Sequence, residues 1–193
     1  YEVGVVSDLA YGALGYQGYE NPSFLSTPGA KDVGIEFYTF SKTFNMAGWR
    51  LAFAAGNDQM IEALNLIQDH LFVGIFPALQ EAGIAALLDP KSEEVVAQLN
   101  ATYDSRRDAF VQAAAKIGWQ AFPSRGSFYA WMPVPEGYTS ESFADLLLEK
   151  VHVAVAPGKG FGPAGDAYVR IGLLVEPERL VEAVDRIANL HLF

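Results

Sequence analysis

The order of apolar and polar positions divides this chain into strands, a loop and helices. Short apolar runs bounded by Gly, Ser or Asp predict strands over 1–7, 33–40 and 51–55. Residues 12–31 are rich in Gly, Pro, Ser and aromatic side chains, which predicts a loop. Helical spacing then predicts a helix capped by Asn57 and two further helices over 77–88 and 92–117.

The pattern changes after Gly118, where strands and helices follow one another at closer spacing. Here the sequence predicts a second, smaller α/β unit with strands over 127–132, 151–156 and 168–174 and helices over 140–150 and 177–190. The expected fold class is α/β, with a partial doubly wound sheet in the first part. We expect three parts, which are a large-domain portion over 1–90, a long connecting helix over 91–118 and a small domain over 119–193.

Composition narrows the possible classes of protein. The chain has 193 residues, no Cys, 51% hydrophobic residues and a net charge of −10. This apolar content excludes intrinsic disorder, and the lack of Cys excludes disulfides, thiolate metal sites and a thiol nucleophile. The acidic balance argues against nucleic acid and anionic membranes as partners, and no apolar run approaches the roughly 18 residues of a membrane span. The three histidines lack metal-ligand spacing, so we expect no metal. The absence of Cys fits a reducing compartment, so we expect a cytoplasmic location.

The first residues carry no initiator Met, and the predicted sheet has too few strands for a complete doubly wound domain. We therefore expect a fragment of a longer protein, with a trimmed but complete domain as the alternative.

Lys42 stands out because residues 1–70 hold only two other cations, Lys31 and Arg50. The neighbours of Lys42 are mostly aromatic or small, and a lysine that loses hydration is disfavoured in its charged form. A neutral amine is a nucleophile toward carbonyl groups. The alternative is an ordinary surface lysine in a loop between two strands.

The full segment SKTFNMAGWR, residues 41–50, resembles the cofactor-lysine segment of class I aminotransferases, which are fold type I pyridoxal-phosphate enzymes. Its residues most resemble those of the diaminopimelate and broad bacterial aminotransferase subgroups. This resemblance implies that Lys42 forms a Schiff base with pyridoxal 5'-phosphate, and that Arg50 and Thr39 bind the cofactor phosphate. The chemistry agrees, because a planar guanidinium grips phosphate oxygens better than an ammonium does.

Two further segments resemble the same family. Asp8 and Tyr11 match an Asp-x-x-Tyr pattern, which implies that Asp8 pairs with the cofactor's ring nitrogen and that Tyr11 bonds its ring oxygen. Arg170, inside the apolar run Tyr168–Gly172, matches the small-domain arginine that holds the substrate carboxylate. Without the resemblance, Asp8 reads as a turn residue and Arg170 as an edge-strand residue that reaches solvent.

The resemblance covers the chain from Asp8 to its end, but only the C-terminal half of the family's length. It implies a partial aminotransferase-type large-domain sheet, transamination between an amino acid and a 2-oxo acid, and a homodimer. Two alternatives stay open, namely a C–S lyase or decarboxylase of the same fold and an aminotransferase-like effector domain of a transcription regulator. We expect the 193 residues to be inactive by themselves.

Overall fold

The computed structural model describes residues 3–122 and 124–193, and its contacts divide the chain into two compact units, Tyr1–Asn100 and Ala101–Phe193. The predicted mixed α/β class is confirmed, since both units combine a small sheet with helices. The three-part division into 1–90, 91–118 and 119–193 stays a prediction. Across the described ranges, no helix is both long and apolar enough to span a bilayer.

The first unit is built on a three-stranded sheet of mixed direction within its described residues. Its strand order is β1-β2-β3, with β1 parallel to β2 and β3 antiparallel to β2. The elements are β1 (Val5–Asp8), α1 (Ala30–Val33), β2 (Gly34–Thr39), α2 (Phe40–Thr43), β3 (Ala52–Gly56), α3 (Asp58–Leu71) and α4 (Pro77–Leu88).

Several predicted boundaries of this unit are confirmed to within a few residues. Asn57 caps α3, because its side-chain oxygen accepts a hydrogen bond from the Met60 N–H at 3.0 Å. The predicted helix over 77–88 is α4. The first strand is shorter than predicted, since β1 begins at Val5, and residues 1 and 2 of the predicted strand lie outside the described residues.

The long helix α5 (Ser92–Lys116) begins in the first unit and ends in the second, just before Gly118 at a φ of +87°. The second unit then carries an antiparallel sheet of order β4-β6-β5. Its elements are β4 (Tyr129–Pro133), α6 (Ser140–Val151), β5 (Ala156–Pro157), β6 (Tyr168–Gly172) and α7 (Pro177–Ala188).

The predicted strand over 151–156 is wrong for most of its length. Helix α6 continues to Val151, and His152 then turns in the left-handed region with its N–H bonded to the Leu147 carbonyl. Val153 and Val155 pack against the core of this unit, and only Ala156–Pro157 pair as a strand. The alternating valines therefore belong to a buried connection, because their side chains pack against the core without needing a neighbouring strand.

The core of the second unit lies between one face of its sheet and the helices α5, α6 and α7. Trp119 is fully buried there, and its indole N–H donates to the Pro133 carbonyl at 2.7 Å. Buried side chains of the cluster come from every one of these elements, including Phe110, Met132, Phe143, Leu147, Val169 and Val184.

Adjacent leucines of α6 test this assignment of core and surface. Leu147 is fully buried and Leu148 is 53% exposed. We expect Leu147→Ala to lower the free energy of unfolding by about 2–5 kcal/mol, through lost burial and the cavity left behind. Leu148→Ala should change it by less than about 0.5 kcal/mol. Urea unfolding followed by tryptophan fluorescence measures both, and equal losses would contradict the assignment.

Candidate active site

Five of the six predicted site residues belong to the first unit, and the sheet pairing gathers four of them near one edge. Since β1 and β2 are parallel, Asp8 and Thr39 stand at carboxyl ends that meet at the same edge. Because β3 is antiparallel and Ala52 pairs with Thr39, β3 begins at this edge. Arg50, two residues before Ala52, and Lys42, three residues after Thr39, therefore lie near the same edge.

Thr39 shapes the turn that carries Lys42. Its hydroxyl oxygen accepts a hydrogen bond from the Ser41 N–H at 3.2 Å and caps α2. The same hydroxyl donates to the Ser41 hydroxyl at 2.9 Å, and the Leu51 carbonyl lies within hydrogen-bond distance of it at 3.3 Å. Sequence reasoning assigned Thr39 to a ligand and missed this local use, although a hydroxyl residue just before a helix is an ordinary capping signal.

Lys42 and Tyr11 lie together. The Lys42 side chain is half-buried, and its Nζ is 5.6 Å from the centroid of the Tyr11 ring, within range of a cation–π interaction. Tyr11 follows closely after β1. The Leu9 N–H, one residue beyond the end of this strand, donates to the Phe37 carbonyl of β2, so the backbone stays attached to the sheet until two residues before Tyr11.

Arg50 is held in an unusual backbone conformation. Its φ is +53°, in the left-handed region, which costs a residue with a Cβ about 1–2 kcal/mol. One guanidinium nitrogen donates to the Ala47 carbonyl at 3.1 Å, and the rest of the side chain is exposed. Such strain at a non-glycine residue is found more often at functional sites than elsewhere.

The charged groups at this edge have no protein counter-ion within the described ranges. No ion pair among the described residues includes Asp8, Lys42 or Arg50. One carboxylate and two cations are thus presented near a single sheet edge without neutralising one another. That arrangement suits a ligand that carries an anionic group and a group able to pair with a carboxylate.

The sixth predicted residue, Arg170, belongs to the second unit and lies on β6 between Trp131 of β4 and Ala156 of β5. Its neighbours Val169 and Ile171 face the core, so strand alternation turns Arg170 to the opposite face of the sheet. Its Cζ lies 4.1 Å from the Tyr129 ring centroid and 4.2 Å from that of Phe161. No ion pair among the described residues includes it.

Asn21 organises the loop that carries Tyr11, and sequence reasoning missed it. Its side-chain amide donates to the carbonyls of Tyr11, Gly12 and Leu14 at 3.0, 3.3 and 3.2 Å. An Asn in a loop rich in Gly and Pro reads as a turn residue, so no sequence signal marked it. Asn100 adds a fourth bond, from its amide to the Ala13 carbonyl at 2.8 Å.

Glu36 is a second residue that sequence reasoning missed. Its buried carboxylate accepts hydrogen bonds from the Ser7 hydroxyl at 2.9 Å, the Ser23 hydroxyl at 2.6 Å and the Phe24 N–H at 2.7 Å. These bonds tie β1, β2 and the loop after Asn21 together beside Asp8. An acidic residue inside an apolar strand was the available signal, because a buried carboxylate requires donors.

Comparison with known proteins places these residues in context. The family model described as "Aminotransferase class I and II" matches residues 1–187. The L-glutamine–4-(methylsulfanyl)-2-oxobutanoate aminotransferase of Bacillus subtilis (strain 168) is 59% identical over 98% of this chain and 47% of its own length. The LL-diaminopimelate aminotransferase of Moorella thermoacetica is 46% identical over 98% of this chain and 48% of its own length.

Solved structures agree with this likeness. Apo-BacF from Bacillus subtilis superimposes with a TM-score of 0.92 at 45% identity, over 98% of this chain and 48% of that one. The aromatic aminotransferase from Pyrococcus horikoshii OT3 gives a TM-score of 0.92 at 34% identity, over 97% of this chain and 50% of that one. The chain thus spans about half the length of the curated relatives it matches.

Replacing Asn21 tests whether its amide holds the loop. In Asn21→Asp a carboxylate would face three carbonyl oxygens and donate nothing, so we expect a loss of about 1–3 kcal/mol in the free energy of unfolding. The amides of residues 12–14 should also exchange with deuterium faster, as measured by mass spectrometry. Asn65→Asp, at an exposed position of α3, is the matched control. Unchanged exchange in Asn21→Asp would contradict the assigned role.

Proposed function

The chain belongs to the aminotransferase class I and II family, and from this membership we propose that the whole protein transfers an amino group from an amino acid to a 2-oxo acid with pyridoxal 5'-phosphate as cofactor. The observation that carries the proposal is the set of unpaired charges, Asp8, Lys42 and Arg50, near one sheet edge. This chain would supply that edge and the carboxylate-binding arginine.

The residues present fit this cofactor by the chemistry of their donor set. Pyridoxal phosphate supplies a carbonyl group that an amine can attack and a protonated ring that withdraws electrons from the amino acid's α-carbon. A nucleophilic amine, a carboxylate and a guanidinium match its carbonyl, ring nitrogen and phosphate, and the described residues offer none of the three an ion-pair partner.

Lys42 would attach the cofactor through its Nζ and, once released, move a proton at the substrate carbon. Both roles require an amine that is neutral for part of the cycle. Two observations support this role: Lys42 is half-buried beside the Tyr11 ring, and no carboxylate among the described residues forms an ion pair with its Nζ.

Asp8 and Tyr11 would adjust the ring of the cofactor. A carboxylate beside the ring nitrogen keeps that nitrogen protonated, and a phenol hydroxyl donates to the ring oxygen. Their place supports this, since Asp8 ends β1 and Tyr11 lies in the loop fixed by Asn21, next to Lys42.

Arg50 and Thr39 would hold the cofactor phosphate, and Arg170 the substrate carboxylate. A guanidinium forms two parallel hydrogen bonds with either anion, which fixes orientation as well as adding affinity. Two observations support this role for Arg170. Its guanidinium lies on the non-core face of the sheet, and no carboxylate among the described residues forms an ion pair with it.

The first substrates to assay are those in the relatives' names, L-glutamine with 4-(methylsulfanyl)-2-oxobutanoate, and then LL-diaminopimelate. The homodimer and the cytoplasmic location remain part of the proposal and rest on the sequence alone.

Lys42→Ala in the whole protein is the central test of this proposal. Removing the amine should lower transamination by at least about 100-fold, since a positioned acid–base group contributes that much or more. Formation of the new amino acid, followed by chromatography, is the measurement, and ammonia and carbon dioxide are assayed alongside. Lys31→Ala, an exposed lysine of the same unit, is the control. Unchanged activity of Lys42→Ala would overturn the mechanism, and ammonia or carbon dioxide as the main product would replace it with a lyase or decarboxylase.

Arg50→Lys tests the phosphate site separately from the chemistry. The variant keeps the positive charge but loses paired donors worth about 1.5–3 kcal/mol. We expect the dissociation constant for pyridoxal phosphate to rise about 10- to 100-fold. Equilibrium dialysis of the cofactor-free protein measures it, with Arg179→Lys on α7 as the control. An unchanged dissociation constant would remove Arg50 from the phosphate site.

A further inference from the structure

The guanidinium of Arg170 lies beside two aromatic rings. Its Cζ lies 4.1 Å from the centroid of Tyr129 and 4.2 Å from that of Phe161, both well within cation–π distance. These two rings form no ring contact with each other among the described residues. Two rings this close to one atom and not to each other must lie on different sides of it. We call this arrangement the aromatic slot, formed by Tyr129, Phe161 and Arg170.

One wall of the slot belongs to the sheet. Tyr129 is on β4, and Trp131, directly opposite Arg170 in the pairing, lies on the same face. Trp131 stacks on Tyr168 at 5.4 Å and meets the Phe161 ring edge-on at 5.8 Å. The non-core face of this sheet is thus an aromatic surface on which the guanidinium lies.

Phe161 forms the other wall from the end of a short 3-10 helix, Gly158–Phe161. The base of this segment is tightly packed, because a Cβ on Gly158 would stand 2.2 Å from the Gly165 carbonyl oxygen. Its tip is open, since a Cβ on Gly160 or Gly162 would meet nothing within 4 Å. Phe161 itself is 53% exposed.

Hydrogen bonds to the start of α6 hold this base. The Ser140 hydroxyl donates to Asp166 at 2.8 Å and accepts from the Lys159 N–H at 3.2 Å. The hydrogen bond from the Ser140 side chain, together with one from its backbone, holds the pKa of the Asp166 carboxyl below its usual value. These hydrogen bonds hold the base of the segment that carries Phe161.

The slot limits how an anion reaches Arg170. At a spacing of about 4 Å a guanidinium stacks on the face of an aromatic ring. We therefore infer that Arg170 offers an anion only the N–H groups along its edge, which all lie in one plane. A carboxylate is planar and places both oxygens in that plane. A sulfonate or phosphonate is tetrahedral, so with two oxygens in the plane its third oxygen is directed toward a ring.

We propose that Tyr129 and Phe161 position the Arg170 guanidinium so that the site selects planar carboxylates over tetrahedral oxyanions, with Phe161 as the specificity-determining residue. This inference rests on the proposed role of Arg170 in binding the substrate carboxylate, and it adds a reason why that site rejects other anions of equal charge.

Propionate and ethanesulfonate are matched probes, because they share an ethyl group and differ in the shape of the anion. Their dissociation constants for the whole protein are measured by ligand-observed NMR. We expect wild type to bind propionate at least about tenfold more tightly than ethanesulfonate, because a sulfonate that turns its third oxygen away from the ring keeps only one of the two charge-assisted hydrogen bonds.

Phe161→Leu keeps an apolar side chain but removes the ring. We expect it to weaken propionate binding about two- to tenfold, as expected for one cation–π contact, and to bring the propionate-to-ethanesulfonate ratio below about threefold. Phe161→Tyr, which keeps the ring, should restore both values. Phe122→Leu, at a position 60% exposed in the same unit, should change neither. A merely structural role would move both dissociation constants together and leave their ratio intact.

Arg170→Gln separates this proposal from the function on which it rests. If Arg170→Gln leaves propionate binding unchanged, Arg170 does not hold the carboxylate and both proposals fail. If Arg170→Gln abolishes binding while Phe161→Leu keeps the wild-type ratio, the carboxylate site stands and the selection by the aromatic slot is refuted. Steady-state kinetics adds a second check, since Phe161→Leu should raise KM for the amino donor and leave kcat within about twofold.

Discussion

The candidate site depends on the mixed pairing of one small sheet. Parallel pairing of β1 with β2 brings two carboxyl ends to the same edge, and antiparallel pairing of β3 with β2 adds the start of β3 there. If β3 were parallel instead, Arg50 would lie at the opposite edge from Asp8 and Thr39. The strand direction therefore decides whether the charged residues share a ligand, and hydrogen bonding of the ladder enforces that direction.

The charged side chains at this edge form no ion pair among the described residues, and hydrogen bonds of other groups hold the loops around them. Asn21 supplies amide donors to the loop of Tyr11, and Glu36 collects three donors from β1 and the following loop. Losing the hydrogen bonds of either side chain would cost free energy of folding, so these bonds hold the two loops in defined positions. In the second unit two aromatic rings lie about 4 Å from the guanidinium carbon of Arg170.

Much of the fold follows from local rules. The cap at Asn57 and the helix α4 were predictable, because capping residues and the Asp89–Pro90 stop act within one turn of the chain. The prediction of a strand over 151–156 was wrong because alternating valines are compatible with two structures, a paired strand and a buried connection. The left-handed turn at His152 and the packing of Val153 select the second, and neither is visible in a local pattern.

The sequence by itself determined which chemical groups are present and the order of residues in the segments around Lys42, Asp8 and Arg170. The resemblance to aminotransferases depends on those side chains alone, so it needs no coordinates. The tertiary structure decided which groups meet, as in the Tyr11 ring beside Lys42 and the two rings around Arg170. It also revealed Asn21 and Glu36, whose partners come from other segments. Hydrogen bonds and ring contacts between distant residues arise only when strands pair and loops close, and a linear pattern carries no record of that pairing.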